Sequence, residues 1–297
     1  MHPLGKTGCY HFGYIFVLEF SILLIYIHTS LKPFNRNAFN KEKILIESAV
    51  ELMYLSMVAC SVTAITIILA WKTNGNNKFQ VIWRSQLLAT AFGIGLSTSL
   101  FSTKQYSILG WYICIMSFFH FSEFAVTSII RPQNLTIDSF LLNHSKAYAI
   151  AAFISWAEYL VELWLLPGMK TLQWISILGL TLCCGGEALR KTAMLTAFHN
   201  FDHLIRIRRE EHHELVTSGV YGLCRHPSYV GWFYWSIGTQ MILCNPFCTV
   251  AYAIISWRFF YERIFEEEVT LLHFFGSSYV NYQKKVPTGL PFINGYI

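Results

Sequence analysis

The 297-residue chain is 54% hydrophobic and 13% charged, against about 25% charged in an ordinary soluble domain. Apolar runs near the roughly 17–25 residues needed to span a bilayer recur along it, so composition excludes an ordinary soluble enzyme. The net charge of +5 is spread over the loops rather than gathered in a block, which points to membrane orientation and not to nucleic-acid binding.

Candidate spans fall at 11–31, 48–71, 83–101, 106–130, 147–167, 171–196, 228–243 and 246–262. The expected fold is all-α: a polytopic integral membrane protein of about eight transmembrane helices. Residues 1–199 read as a bundle of about six spans. Residues 200–297 read as a catalytic region on the cytosolic side, carrying a transmembrane hairpin at 228–262. The first run, Phe12–Leu31, is long for a signal-peptide core and is followed by Lys32-Pro33-Phe34, so it reads as a retained helix. In the third span Ala89, Gly93, Gly95 and Ser97 suit close helix packing. No strand precedes Gly93, so Gly93 and Gly95 are not a dinucleotide loop.

Eight spans put both termini on one side. Placing that side in the cytosol puts Arg131, Lys146, Arg190, Lys191, Arg208, Arg209, Lys284 and Lys285 inside, as the positive-inside rule prefers. Lys104 and Lys170 fall outside. So do Lys32, Arg36, Lys41 and Lys43 of the first loop, against the rule. At Gly185-Gly186 the sixth span changes character to Glu187, Arg190 and Lys191, as a helix leaving the membrane would. The charged stretch 200–213 reads as a solvated linker or as a cover over a ligand.

Charges inside spans are costly in lipid. Glu19 stands alone, His120 and Glu123 share a helical face, and Glu158 and Glu162 are four apart. Such pairs are either acid–base groups or interhelical hydrogen bonds, and the second reading is preferred. Most of the eight cysteines lie in apolar runs. None forms a C-x-x-C pair, so zinc is not expected; Cys183, Cys184, Cys244 and Cys248 read as small hydrophobes.

The C-terminal third carries the chemistry. Cys244-Asn245-Pro246 separates two apolar runs; Asn as a helix cap and Pro in a first turn read as a tight turn. The hairpin brings Arg225-His226-Pro227 beside the end at 263–268. Arg263 and Glu267 are one helical turn apart, with Glu266 and Glu268 flanking them. This is either a surface ion-pair network or a site whose arginine grips a carboxylate through its two-pronged donor array. Tyr221 and the cluster Trp232, Phe233, Tyr234 and Trp235 either cover an adenine or a sulfonium, or pack at the interface.

These residues also carry a resemblance. GVY (219–221), RHPSYVGWFYWSIGTQ (225–240), Asn245-Pro246, WRFF (257–260), the acidic run 266–268 and the stretch from HFFG to VPTGLPFI (273–293) span about eighty positions in order. They closely resemble the isoprenylcysteine carboxyl methyltransferase family, which methylates the C-terminal carboxylate of prenylated proteins. The resemblance implies S-adenosylmethionine as cofactor. It implies that His213, Glu214, Leu215, Val216, Tyr221, His226, Pro227, Ser228 and Tyr229 line the donor pocket. It implies that Glu267 holds a polar group of the donor, and that Arg263 binds the prenylcysteine carboxylate and serves catalysis. Arg206 aligns with a further donor contact. His213 and Glu214 depart from the family's residues there, which leaves their backbone as the contact. It further implies farnesyl- or geranylgeranyl-cysteine C-termini from CaaX processing as partners, the lipid bilayer as medium, and the endoplasmic reticulum membrane as location. Two rivals stand beside it: a sterol-reductase-like NADPH enzyme, which shares the RHP pattern, and a non-catalytic lipid-binding membrane protein.

Overall fold

A computed structural model describes residues 1–30, 65, 68, 76–142 and 145–296, with side chains from 22 to 30 left aside. The expected span 48–71 and the first-loop cations Lys32, Arg36, Lys41 and Lys43 lie outside the described residues. All regular elements among the described residues are helical: α1 (Pro3–Ser30), α2 (Asn77–Phe101), α3 (Lys104–Ile130), α4 (Lys146–Leu165), α5 (Gln173–Ala197), α6 (Pro227–Ile242), α7 (Pro246–Phe275) and α8 (Ser277–Lys285), with short 3₁₀ turns between them. The chain forms two compact units, Met1–Ser128 with Leu135–Leu142, and Ile129–Asn134 with Asn143–Ile297. This packing boundary falls earlier in the chain than the division by role drawn at 199/200.

In the first unit small residues set the helix spacing. A side chain on Gly93 would strike Glu19 of α1, and one on Gly95 would meet the Gly110 carbonyl of α3 at 2.8 Å. His120 turns its Nδ1 to the Phe140 carbonyl at 2.9 Å, a hydrogen bond between elements.

The second unit is built on α5, α6 and α7. Gly179 and Gly186 of α5 face Gly238 and Gly231 of α6 so closely that any Cβ there would hit the partner backbone. Between them the Cys183 Sγ reaches the Trp235 carbonyl at 3.4 Å. Gly185-Gly186 therefore does not interrupt α5; the pair lies inside one continuous helix whose Gly186 side is a packing face. α7 runs 13 residues past the apolar stretch that ends at 262, so Arg263, Glu267 and Glu268 ride on a rigid helix. Nothing in 263–275 breaks it, and Gly276 at φ +51° ends it.

Asn245 does not cap α7 with its side chain. Its Nδ2 donates instead to the Ser155 carbonyl at 2.9 Å and to Gln240 Oε1 at 3.3 Å. The cap comes from another helix: Glu158 of α4 accepts from the backbone N–H groups of Phe247 and Cys248, both at 2.8 Å. A carboxylate suits the positive end of a helix. Lys170 is likewise not a loop charge. It is fully buried, and its Nζ donates to Glu162 Oε2 (2.7 Å), the Leu243 and Cys244 carbonyls (2.9 and 3.0 Å) and Asn245 Oδ1 (2.8 Å). One ammonium thus closes the C-terminal end of α6 and ties the turn to α4. Glu158 and Glu162 are structural bonds between helices, as their spacing suggests.

By length and composition, α3 and α4 are each long and apolar enough to cross a membrane. α4 leaves Phe153, Leu160 and Trp164 exposed at 69%, 60% and 81%. An apolar face of that extent suits lipid and would be a liability in water.

Replacing Lys170 with Met strands the Glu162 carboxylate and several carbonyls in a dry pocket. Removing one partner of a buried pair costs about 3–5 kcal/mol. A clear drop in the melting temperature of purified protein is expected; a drop no larger than that of Lys104→Met, at an exposed position, counts against this account.

Candidate functional site

The site grows from the turn at 224–226. Arg225 N–H bonds the Pro287 carbonyl at 2.8 Å and His226 N–H the Thr288 carbonyl at 3.2 Å, so the C-terminal tail lies alongside the turn. Leu290 and Ile293 of the tail pack into one core cluster with Cys224, Val230, Phe233, Phe260 and Ile264. Gly289, at φ +102°, sits against Cys224 and Val230, where a Cβ would come within 2.7 Å of each. This accounts for the co-occurrence of RHPSY and VPTGLPFI: the second holds the first in place.

Charge is concentrated below the turn. Glu268 is fully buried, so it is no member of a surface network. Its Oε1 accepts from Arg225 Nε (2.7 Å), His226 Nε2 (3.0 Å) and the Tyr279 hydroxyl (3.0 Å). Its Oε2 accepts from Gln283 Nε2 (3.1 Å) and the Tyr296 N–H (2.8 Å). Arg225 extends the net to the carbonyls of Gln283, Val286 and Asn294. Burial alone raises a carboxyl pKa, but hydrogen bonds from His226 and Arg225 hold Glu268 down at about 2. Burial alone would push His226 down; the neighbouring carboxylates of Glu268 and Glu267 overcome that and raise it. The two carboxylates therefore favour the charged form of the His226 ring. Its Nδ1 stands 3.6 Å from Glu267 Oε2, which leaves that oxygen without a hydrogen bond among the described residues.

Above this lies a cleft of about 700 Å³, counting its solvent-open mouth, within the roughly 300–1,000 Å³ usual for small-ligand sites. The loop residues His213, Glu214, Leu215 and Val216 form one wall. Tyr221 and the start of α6, His226, Pro227, Ser228 and Tyr229, form the second, and Glu267 the third. Ten of the eleven positions singled out for donor binding thus meet in one cavity. The His213 Nδ1 is buried there with no hydrogen-bond partner among the described residues. Glu214 N–H is held by Asn200 Oδ1 at 2.9 Å, which fixes the loop's backbone.

Arg206 is the exception. It pairs with Asp202 at 3.2 Å and Glu210 at 2.7 Å and meets the cleft only through Asp202, which lines it. Arg263 lies beside Tyr229 and Glu267 rather than in the wall, and its guanidinium donates to the His203 carbonyl. The aromatic cluster of α6 does not cover the cleft. Phe233 and Trp235 are buried in the helix packing, and Trp232 lies under the Arg190 guanidinium at 4.8 Å and against Phe260. Helical periodicity turns these rings away from the site. The cleft's aromatic residues are Phe201, Tyr221, Tyr229, Phe275, Tyr279 and Tyr282.

Several site residues escaped the sequence reading. Arg190, on the far end of α5, is buried and holds Ser228 Oγ at 2.7 Å. Its signal was a cation beyond a glycine-packed helix, legible only once α5 is known to lie on α6. Tyr282 bonds the Tyr221 carbonyl from α8, and Tyr279 serves Glu268. Both sit one helical turn apart in a short polar helix whose role the pattern alone does not reveal.

Residues 177–273 match the model of the isoprenylcysteine carboxyl methyltransferase (ICMT) family. Over 217 residues the chain is 55% identical to the protein-S-isoprenylcysteine O-methyltransferase of Xenopus laevis, covering 73% of this chain and 75% of that one. The enzyme of that name from Homo sapiens is 52% identical over 218 residues, 73% of this chain and 76% of its own. The Saccharomyces cerevisiae enzyme is 38% identical over 206 residues, 67% and 86%. In three dimensions the chain is similar to the solved structure of a eukaryotic intramembrane Ras methyltransferase, with TM-score 0.82, 39% identity and 100% of both chains covered. With a relative this similar over three quarters of its length, and with the same fold, the chain belongs to the isoprenylcysteine carboxyl methyltransferase family.

Proposed function

We propose that this membrane-embedded chain transfers a methyl group from S-adenosylmethionine to the free α-carboxylate of a prenylated C-terminal cysteine, giving a methyl ester. The names of its relatives carry the reaction class. The observation that carries the donor site is a pair of buried, unpartnered atoms, Glu267 Oε2 and His213 Nδ1, in one cleft with the 213–216 loop and the start of α6. A ligand bearing an ammonium and ribose hydroxyls suits that set. A carboxylate there disfavours the extra phosphate of NADPH, so the reductase reading has no support, nor has a lipid carrier among methyltransferase relatives.

Bound there, the donor supplies a methyl on a positive sulfonium: a C–O bond forms, the C–S bond breaks, and its electron pair stays on sulfur. An α-carboxyl has a pKa of about 3.3–3.7, so the acceptor is ionised at neutral pH and no residue need remove a proton. The chain's task is placement and exclusion of water. Holding two reactants in line can lower the barrier by about 7–11 kcal/mol in favourable cases. Tyr221, Tyr229 and the backbone of 213–216 would hold the donor, Glu267 its polar groups, and Arg263 the carboxylate. Arg206 would act by fixing Asp202. Arg263 meets a neutral carbonyl at His203, and a carboxylate outcompetes it because charge-assisted hydrogen bonds are roughly twice as strong.

The substrate is a farnesyl or geranylgeranyl chain lying in the bilayer, each buried CH₂ worth about 0.8 kcal/mol. The division by role keeps 1–199 as the bundle and 200–297 as the catalytic region. About eight spans, a cytosolic active face and an endoplasmic reticulum location complete the reading. α6 has 16 residues, or roughly 24 Å of rise against a hydrocarbon core of about 30 Å. A short helix of that kind recesses the reactive end toward the lipid.

Arg263→Ala should abolish turnover of a farnesyl-cysteine analogue in a radiolabelled methyl-transfer assay, with S-adenosylhomocysteine still binding. Arg263→Lys should restore only part of the activity, since the two-pronged geometry is lost. Full activity in the alanine variant would remove Arg263 from the site. Glu267→Gln should weaken donor binding in titration calorimetry more than binding of the prenyl substrate; equal donor affinity in variant and parent would free Glu267 of this role. A diazirine placed along the prenyl chain should label apolar residues of α6 and its neighbours. Labels confined to 200–226 and 269–297 would refute entry from the bilayer.

A further inference from the structure

Glu268 does not line the cleft, and no role in binding follows from the family motif for it. Its place is behind His226. The ring's Nε2 is anchored on Glu268 Oε1 at 3.0 Å, and its other nitrogen, Nδ1, faces Glu267 Oε2 at 3.6 Å. That second oxygen is the buried acceptor left open in the cleft. A row of alternating charge therefore runs from Arg225 through Glu268 and His226 to Glu267. Tyr229 stacks on the His226 ring, nearly parallel at 1° and 5.6 Å, so the ring is clamped on its face as well as at its edge.

We propose that Glu268 is a positioning residue for methyl-donor binding: by anchoring one nitrogen of His226 it aims the other at Glu267, and so fixes the carboxylate that receives the donor. The inference rests on the donor site proposed above. The groups facing His226 are Glu267 and Glu268 of α7 and Tyr229 of α6, which stacks on its ring. Arg225 from the turn and Tyr279 from α8 share Glu268 Oε1 with it. The charge of Arg263 also acts on Glu267. While the ring is charged, Nε2 donates to Glu268 and Nδ1 presents a positive N–H toward Glu267 at 3.6 Å. If the ring loses a proton, one nitrogen becomes a lone pair facing a carboxylate, and Glu267 is pushed from its place. Donor affinity should thus be present below the raised pKa of His226 and fall as pH rises through it. The charge on Glu268 helps to keep that pKa high, so removing it should bring the alkaline loss to lower pH.

The test is the dissociation constant of S-adenosylhomocysteine for the purified full chain, by titration calorimetry from about pH 6 to pH 9. Glu268→Gln should lose roughly tenfold in affinity near neutrality, the equivalent of about one pH unit in the ring's titration, with its alkaline limb at lower pH than the parent's. Glu268→Asp keeps the charge at a shorter reach; its affinity should fall but its limb should stay near the parent's. Tyr279→Phe removes one competing donor from Oε1 and leaves Glu268 in place, so it should move the limb to higher pH; it serves as the test if Glu268→Gln does not fold. A loss in Glu268→Gln that is equal at every pH, or limbs that coincide in all variants, overturns the proposal and leaves the donor site standing. A parent that binds no S-adenosylhomocysteine overturns both.

Discussion

A carboxylate taken out of water must find donors for both oxygens, and Glu268 finds them on three stretches of chain far apart in sequence. The turn supplies Arg225 and His226, α8 supplies Tyr279 and Gln283, and the tail supplies the Tyr296 N–H. A buried ion repays its desolvation only when its geometry is this complete. The same completeness makes the arrangement brittle, because the loss of one member leaves the others buried and unpaired. Gly295 belongs to this constraint too. It adopts φ +85°, and a side chain there would strike Glu268 Oε2. The tail, the turn and the end of α7 are thus one structural object, and the cleft is its upper surface.

The opposite end of the hairpin is fixed by the same means with other residues. There Lys170 gathers the last carbonyls of α6 while Glu158 covers the first N–H groups of α7. Helix ends leave such groups orphaned, and where they are buried no water satisfies them. Between the two ends the glycines of α5 and α6 bring their backbones into contact. A hairpin fastened at both ends and backed along its length holds its cleft residues to a narrow range of positions. In-line transfer needs that range, since a misplacement of about 1 Å can cost on the order of a hundredfold in rate.

Much of this was legible in the residues. Apolar runs gave the helices, Cys244-Asn245-Pro246 gave the turn, and the return of the chain put His226 beside Glu267 and Glu268. What stayed hidden has a common cause: partners distant in sequence with no local signature. Lys170 looks like a loop cation because nothing near it in sequence announces Glu162 or the Leu243 carbonyl. Asn245 looks like a cap because Asn often is one, yet Glu158, on another helix, competes for the same N–H groups and wins with a full charge. Three adjacent glutamates look alike in sequence, but they point in three directions around a helix. Glu268 turns into the protein, and Glu267 turns to the cleft. For the aromatic run 232–235 the sequence leaves covering and packing both open, and packing is what Phe233 and Trp235 do, because a helix spreads four neighbours over its whole circumference.

The order of charges also bears on why Arg263 suits a carboxylate substrate. Arg263 and Glu267 are one turn apart, and left alone they would pair, as Arg258 and Glu262 do at 3.1 Å on the exposed part of the same helix. A guanidinium already engaged by a carboxylate gains little from a second. In this site His226 stands 3.6 Å from Glu267, while Arg263 donates to the neutral His203 carbonyl. The His226 ring is itself held by Glu268. In the proposed reaction two opposite charges, on sulfonium and carboxylate, disappear together. A dry site favours that loss, provided its own charges are already balanced and need not reorganise as the bond forms. Arg225, Glu268, His226 and Glu267 can balance one another, and in the proposed reaction Arg263 would then be matched to the carboxylate the substrate brings.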